Sequence, residues 1–349
     1  MSTVLYRKYR PQSFEEVLGQ DHIVSVLKNA VKTGRISHAY LFSGSKGTGK
    51  TSLARILAKE PGCSDVDLIE IDAASSRGID EIRALREAVR FSPMRGKVKV
   101  YIIDEAHMLT KEAFNALLKT LEEPPEHTIF ILATTETDKM PETIISRCQN
   151  FFFRKISEEV LRKALKNIAK KEGFEIDDGT AGLIALCAEG SFRDAQGILE
   201  QIISMGDKKI TEENARQILS APPREIIEKF IVAILEKKAE VGLEAVQSAM
   251  EKNVDMKIIY KMILKDIRSI ILLKLAPAMK KQIQESHGEK EFNFLEKCKD
   301  SAKPGEMERA LKIMLEYYET RSRSYLPQTP LELALLAIVG GNYPRTVLG

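Results

Sequence analysis

The 349-residue sequence contains no apolar run of about 18 residues, the length a helix needs to cross a bilayer. Its opening, MSTVLYRKYRPQSF, lacks the apolar core of a signal peptide, so a cytoplasmic protein without a membrane partner is expected. The four cysteines, Cys63, Cys148, Cys187 and Cys298, lie far apart with no C-x-x-C pair, which indicates neither a disulfide framework nor a zinc site. The five histidines are scattered without metal-ligand spacing and read as surface or packing residues. A net charge of only +3 excludes binding to nucleic acid through bulk basicity and leaves a local patch as the means. No internal repeat is evident. What is there, 44% hydrophobic and 30% charged residues, is the make-up of a soluble globular chain with a real core. At roughly 100–200 residues per domain, its length suggests two or three domains.

Between residues 36 and 153, the runs AYLFSG, DLIEID, KVYIIDE and HTIFILATT alternate with helical patterns. Most are continuously apolar, as strands buried on both faces of a parallel sheet should be. The helix TKEAFNALLKTLEE places Phe114, Leu117, Leu118 and Leu121 on one face and stops at Pro124-Pro125. Alternating strands and helices predict a doubly wound α/β domain. After Arg154 strand signals vanish and short helices are expected over 157–220. SAPPRE at 220–225 reads as a linker, and helices dominate from Glu225 onward. The Lys-rich stretch MKKQIQESHGEKEF reads as a solvated loop or helix face.

YLFSGSKGTGKTSLARILAKE carries the strongest chemical signal. A strand enters Gly44-Ser45-Lys46-Gly47-Thr48-Gly49-Lys50-Thr51-Ser52 and leaves as a helix with Leu53, Ile56 and Leu57 on one face, which is G-x-x-x-x-G-K-[ST] in its required setting. Glycines let successive N–H groups turn toward phosphate oxygens, and the helix N-terminus adds partial positive charge. Lys50 should reach the β- and γ-phosphates and Thr51 should hold Mg²⁺. Downstream, KVYIIDEAHM delivers Asp104 and Glu105 to a strand end, where ligands of open α/β sheets bind. Asp104 suits the magnesium shell and Glu105 a water-activating base; His107 completes a D-E-A-H string with no required role. Thr135, chosen over Thr134 at the tip of LATT, would sense the γ-phosphate. No N-K-x-D element appears, so ATP is preferred to GTP.

Two arginines remain. In GSFRDAQ, Ser191 caps a helix whose first turn holds Arg193, where the dipole mildly disfavours a cation. A compensating outside anion, the γ-phosphate contacted in cis, is expected there. Arg147, in PETIISRCQNF, sits between a short helix and an aromatic strand. The local dipole alone would favour it by only about 0.3–1 kcal/mol.

These segments together resemble the ATPase-subunit family of the bacterial DNA polymerase III clamp loader, the gamma/tau family within the AAA+ class. The resemblance runs from YRKYRPQSFEEVLGQDHI through GSKGTGKT, LIEIDAASSRGIDEIR, YIIDEAHMLTKEAFNALLKTLEEPP and LATTETDKMPETIISRCQNF to EGSFRDAQ, about the first 220 residues. It implies an α/β AAA+ module with a phosphate loop at 1–155, a small helical lid at 156–221, and an all-α collar domain for oligomerisation at 222–349. It implies an ATPase within a DNA-directed DNA polymerase holoenzyme, in a ring with delta- and delta-prime-like subunits. ATP binding would open a sliding clamp for loading onto primer–template DNA, and hydrolysis would release it. By the same resemblance Arg147 acts in trans on a neighbour's ATP, a contact worth about 10³–10⁵ in rate. Leu5, Arg10, Pro11, Val17 and Leu18 match the segment enclosing adenine, and Arg77 and Arg83 match a helix that tracks DNA. The family's usual four-cysteine zinc module has no counterpart around Cys63. The long extension of the tau form is missing as well, so a short form or a shortened chain is expected. A ring-shaped branch-migration motor and a non-hydrolysing nucleotide-binding scaffold are the alternative readings.

Overall fold

The apolar runs form one five-stranded sheet: β1 (Ala39–Gly44), β2 (Leu68–Asp72), β3 (Lys99–Asp104), β4 (Thr128–Thr134) and β5 (Gln149–Phe153). The order is β2-β3-β4-β1-β5 and every pairing is parallel. β1 and β4, in the middle, are buried at every position, which is why their sequences are apolar without alternation. Successive side chains still point to opposite faces. Leu41, Tyr101, Phe130 and Leu132 meet Ile82 and Leu85 of helix Ile79–Ala88 and Leu117 and Leu121 of helix Lys111–Glu122. Tyr40, Phe42, Ile102 and Ile131 meet Ile23 and Leu27 of helix Asp21–Lys32 and Leu53, Ile56 and Leu57 of helix Lys50–Lys59. The expected face of Phe114, Leu117, Leu118 and Leu121 all joins the first of these cores, Leu118 in part. Cys63 packs half-buried against the second.

The structure is a computed structural model that describes residues 4–75, 79–206, 208–320 and 324–340. They fall into two compact units, one from Met1–Ala164 with Ala188–Glu200, the other from Leu165–Cys187 with Gln201–Gly349. No helix among the described residues is long and apolar enough to cross a membrane.

Strands do not end at Arg154 as expected. Glu175–Ile176 and Lys209–Ile210 form a two-residue parallel pair in the second unit, too short to leave a periodic signal in sequence. The rest of that unit is helical, including Arg224–Glu236, Ala239–Glu251, Met256–Leu275, Glu289–Ser301, Glu306–Thr320 and Thr329–Gly340. SAPPRE is not a loose tether. Ala221 is buried and donates to the Arg216 carbonyl at 2.9 Å, the Arg216 guanidinium donates to the Pro222 carbonyl, and Asp255 N–H donates to the Ser220 carbonyl at 2.8 Å. Arg224 then forms a 2.5 Å ion pair with Asp266, whose side chain is 2% exposed. His287, from the Lys-rich stretch, is also buried, with Nε2 3.6 Å from Asp266. That stretch is otherwise helix face, anchored by Ile283 and Phe292.

Candidate active site

A parallel sheet brings all its strand exits to one edge, and the chemistry gathers there. β1 exits into a loop in which Gly44, Gly47 and Gly49 have φ of 137°, 72° and 102°, the left-handed region that side chains resist. At Gly47 the reason is doubled. A Cβ there would stand 1.9 Å from Ser191 Oγ, because the start of helix Phe192–Ile203 lies directly on the loop. Phe192 N–H donates to the Gly47 carbonyl at 2.9 Å. The fully buried Gln20 fastens the other side, its amide donating to the Thr48 and Arg154 carbonyls at 3.4 and 2.8 Å. Thr48 is buried and its hydroxyl donates to the Ser45 carbonyl; Ser45 and Lys46 are exposed and Ser52 is half-buried.

Lys50 opens the following helix, buried, with Nζ donating to the Gly44 and Ser45 carbonyls at 2.7 and 2.9 Å. Burial pushes its pKa below the usual lysine value, while the Glu105 and Asp104 carboxylates pull the other way. Thr51 Oγ1 donates to Asp104 Oδ2 at 2.8 Å, joining the exits of β1 and β3. Glu105, next along, adopts φ 49°, an uncommon conformation for a residue with a side chain. Thr135, at the exit of β4, donates to Glu105 Oε2 at 3.0 Å. The neighbouring Thr134 is fully buried and faces His107 instead, with Oγ1 2.9 Å from Nδ1. Glu136 follows, its carboxyl held below the usual range by the hydrogen bond from Lys139, with His107 adding a smaller effect.

The structure thus brings Lys50, Thr51, Asp104, Glu105 and Thr135 into one hydrogen-bonded neighbourhood. Arg193 joins from the helix resting on Gly47, exposed, its guanidinium 4.9 Å from the centre of the Tyr6 ring. Tyr6 therefore supplies a partner that sequence reasoning missed; its hydroxyl is made more acidic chiefly by the hydrogen bond with Arg193. Of the residues expected around adenine, Arg10 and Pro11 line a cavity of about 90 Å³ with Arg55 and Lys59. Burial lowers the Arg10 pKa. Leu5 is buried in the short helix Leu5–Lys8, Val17 packs on the core and Leu18 is 46% exposed.

Arg147 lies elsewhere. Gln149 of β5 pairs with Tyr40 at the entry of β1, and Phe153 with Gly44 at its exit. Arg147 sits in the turn just before Gln149, its N–H donating to the Ile144 carbonyl, and so stands near the entry edge. Gln149 itself is four strand steps, ~13 Å at about 3.3 Å per residue, from the loop-side exit. It donates to the Thr143 carbonyl at 2.8 Å and to Glu122 Oε1 at 2.6 Å. Arg77 lies outside the described residues, and so does the side chain of Arg83 on helix Ile79–Ala88.

A phosphate-type loop after the first strand of a five-stranded parallel sheet, with an acidic pair on β3 beyond the intervening β4, defines a P-loop α/β module of the AAA+ class. Solved RuvB structures from Thermotoga maritima share this fold. The Holliday junction branch migration motor matches at TM-score 0.51 and 22% identity over 65% of this chain and 80% of that one. Three family profiles match in succession: DNA polymerase III, delta subunit, at 19–70 and 63–157; the DNA polymerase III clamp loader subunit ATPase lid domain at 160–208; and DNA polymerase III subunits gamma and tau domain III at 210–344. DNA polymerase III subunit gamma of Buchnera aphidicola subsp. Acyrthosiphon pisum is 42% identical over 68% of this chain and 72% of that protein. DNA polymerase III subunit tau of Bacillus subtilis is 42% identical over 83% of this chain and 55% of its own length, and that of Escherichia coli 39% over 79% and 46%. The chain belongs to the gamma/tau family of DNA polymerase III clamp-loader subunits. It spans about half the length of the tau relatives it matches.

Proposed function

We propose that this chain is an ATP-hydrolysing subunit of a clamp-loader ring that works as part of a DNA polymerase III holoenzyme in the cytoplasm. Its partners in this reading are delta- and delta-prime-like subunits, a sliding clamp and primer–template DNA. The observation that carries the reading is the convergence of Lys50, the Thr51–Asp104 pair and the Glu105–Thr135 pair at one sheet edge. Three domains underlie it: the ATPase module at 1–155, the lid at 156–221 and the collar at 222–349. The lid and gamma/tau domain III matches support these last two.

Curled backbone from Gly44 to Thr51 offers N–H donors to the β- and γ-phosphates, and Lys50 adds its charge. Leu5, Arg10, Pro11, Val17 and Leu18 enclose the base. Thr51 and Asp104 present two hard oxygens 2.8 Å apart, a donor set that fits Mg²⁺. That ion, when bound, neutralises phosphate charge; the protein's own groups orient what reacts. Glu105 takes the proton from the attacking water, and Thr135 holds the carboxylate that does so. Arg193 meets the γ-phosphate in cis. Arg147 serves a neighbour: it lies at the wrong edge for its own loop. Its pair with Glu122 is at the surface, 34% and 49% exposed, and such pairs contribute only about 0–1 kcal/mol, so exchange for a phosphate is easy. Arg77 and Arg83 contact the DNA backbone. ATP favours one ring geometry by differential affinity, and DNA contact completes the site around Glu105.

Arg147→Ala tests this. Nucleotide binding should persist while hydrolysis stimulated by clamp and primed DNA falls by about 10³ or more. Stimulation left intact would remove the trans assignment. Strand displacement or translocation by the assembled ring would instead favour a motor.

A further inference from the structure

His107 is a buried imidazole, its side chain 5% exposed, for which nucleotide chemistry has no task. Its Nε2 lies 3.3 Å from Glu136 Oε1 and its Nδ1 2.9 Å from Thr134 Oγ1. The backbone N–H of Glu136 donates to the same Thr134 oxygen at 3.0 Å. A carboxylate can only accept, so Nε2 carries the proton where it faces Glu136 across this 3.3 Å contact. With the ring proton on Nε2, Nδ1 is left to accept, so the Thr134 hydroxyl donates to Nδ1 while its oxygen accepts the Glu136 backbone N–H. The groups close a circuit from Glu136 N–H through the Thr134 hydroxyl and the imidazole back to the Glu136 carboxylate.

This circuit ties the exit of β3 to the exit of β4. Between its members Thr134 and Glu136 stands Thr135, whose hydroxyl sets the direction of Glu105. Glu105 needs such setting. Its backbone at φ 49° is a conformation that persists only where surrounding contacts over-determine it. Its N–H donates to Asp104 Oδ1 at 3.0 Å, its carbonyl accepts from Met108 N–H at 2.8 Å, and its carboxylate accepts from Thr135 Oγ1 at 3.0 Å.

We propose that His107 and Glu136 are positioning residues that hold Thr135 and the Glu105 carboxylate at the distance and angle water activation requires. The inference rests on the reading of Glu105 as the base. Neither residue touches the phosphate loop, so their loss should alter the chemical step and spare nucleotide binding.

The test uses the full chain in its assembled complex with primed DNA, reading phosphate release and the affinity for a non-hydrolysable ATP analogue. His107→Ala and Glu136→Ala should each lower kcat by about tenfold to a hundredfold, the range a misplacement of about 1 Å can produce. Analogue affinity should stay within about twofold, because only an interaction of the reacting state is removed. The double variant should be no slower than the worse single one, since breaking the circuit at either point breaks it once. Glu136→Gln, whose amide oxygen still accepts from Nε2, should recover most of the rate.

An unchanged kcat in either alanine variant, a matching loss of affinity, or additive effects in the double variant would each overturn the proposal. If thermal melting shows His107→Ala unfolded, the half-exposed Glu136 decides through its own two variants. Glu105→Gln separates this idea from its foundation. Abolished turnover with retained binding upholds the base, whereas normal turnover removes the base and this inference with it.

Discussion

At the residue scale, conformations that side chains resist mark the site. Gly47 combines φ 72° with a backbone lying against Ser191 and Arg193. Alanine there meets a left-handed penalty of about 1–2 kcal/mol and an overpacking cost of about 1–3 kcal/mol. Relief requires the loop to move, so Gly47→Ala should weaken ATP binding by about ten- to a hundredfold at 1.4 kcal/mol per decade. Calorimetric titration with the non-hydrolysable analogue reads it, and unchanged affinity would mean the loop tolerates a side chain. In the second unit, Asp266 is a buried carboxylate paired with Arg224, and its partner's pKa is raised by Asp266 and Glu291 against the opposing effect of burial. Asp266→Ala leaves that guanidinium only its longer contacts with Glu228 at 3.4 Å and Glu291 at 3.6 Å. It should destabilise the protein in urea unfolding by somewhat less than the ~3–5 kcal/mol of a buried charge left wholly unpaired. The G-x-x-x-x-G-K-T pattern made the loop legible in sequence, but Gly47 fills one of its free positions and its approach to Ser191 was not legible. Nothing in spacing tied Asp266 to Arg224, because 41 intervening positions carry no pairing rule.

At the element scale, the loop between helix Ile79–Ala88 and β3 depends on Asp67. This fully buried carboxylate accepts from Met94 N–H at 2.5 Å, Arg95 N–H at 3.0 Å, Gly96 N–H at 2.6 Å and Ser64 Oγ at 2.5 Å. These donors, the Ser64 hydroxyl first, hold its pKa far below the usual aspartate value. A depressed folded-state pKa gives stability that is complete above the unfolded value, near 3.9, and is lost as pH falls toward the folded one. The Asp67 contribution should therefore fade below about pH 4. Asp67→Asn, which cannot lose a charge, should lower the melting temperature at neutral pH and flatten its decline in acid, as thermal scans between neutral and acid buffers would register. Identical slopes would assign the acid sensitivity to other carboxylates. Strands β1, β3 and β4 were readable because each carries four or more consecutive apolar residues. The pair Glu175–Ile176 and Lys209–Ile210 was not, because two residues hold no period. SAPPRE read as a linker on its prolines, yet contacts from Arg216 and Asp255 bind it down.

For the whole molecule, the separation of Arg147 from its own phosphate loop is the fact with the widest consequence. If, as proposed, the site's last charge comes from a second copy or a partner, the site is complete only in an assembly. Mixing Lys50→Ala chains, which should fail to hold ATP, with Arg147→Ala chains, which should hold it, tests this directly. Mixed complexes should regain part of the stimulated hydrolysis that neither homogeneous preparation shows, because some seams pair an intact loop with an intact arginine. Absence of any recovery across mixing ratios would place the arginine's action within one chain.

The sequence by itself determined the phosphate loop, the acidic pair at the end of β3, and the alternation that makes a parallel sheet. In each case the physical requirement is local: a glycine turn, a run buried on both faces, a strand exit. Tertiary structure alone decided that Tyr6 stacks on Arg193, that Gln20 fastens the loop, and that His107 joins Thr134 to Glu136. It also decided which edge of the sheet each arginine occupies. These are contacts between segments far apart in the chain, set by how helices settle on the sheet, and no periodicity encodes them.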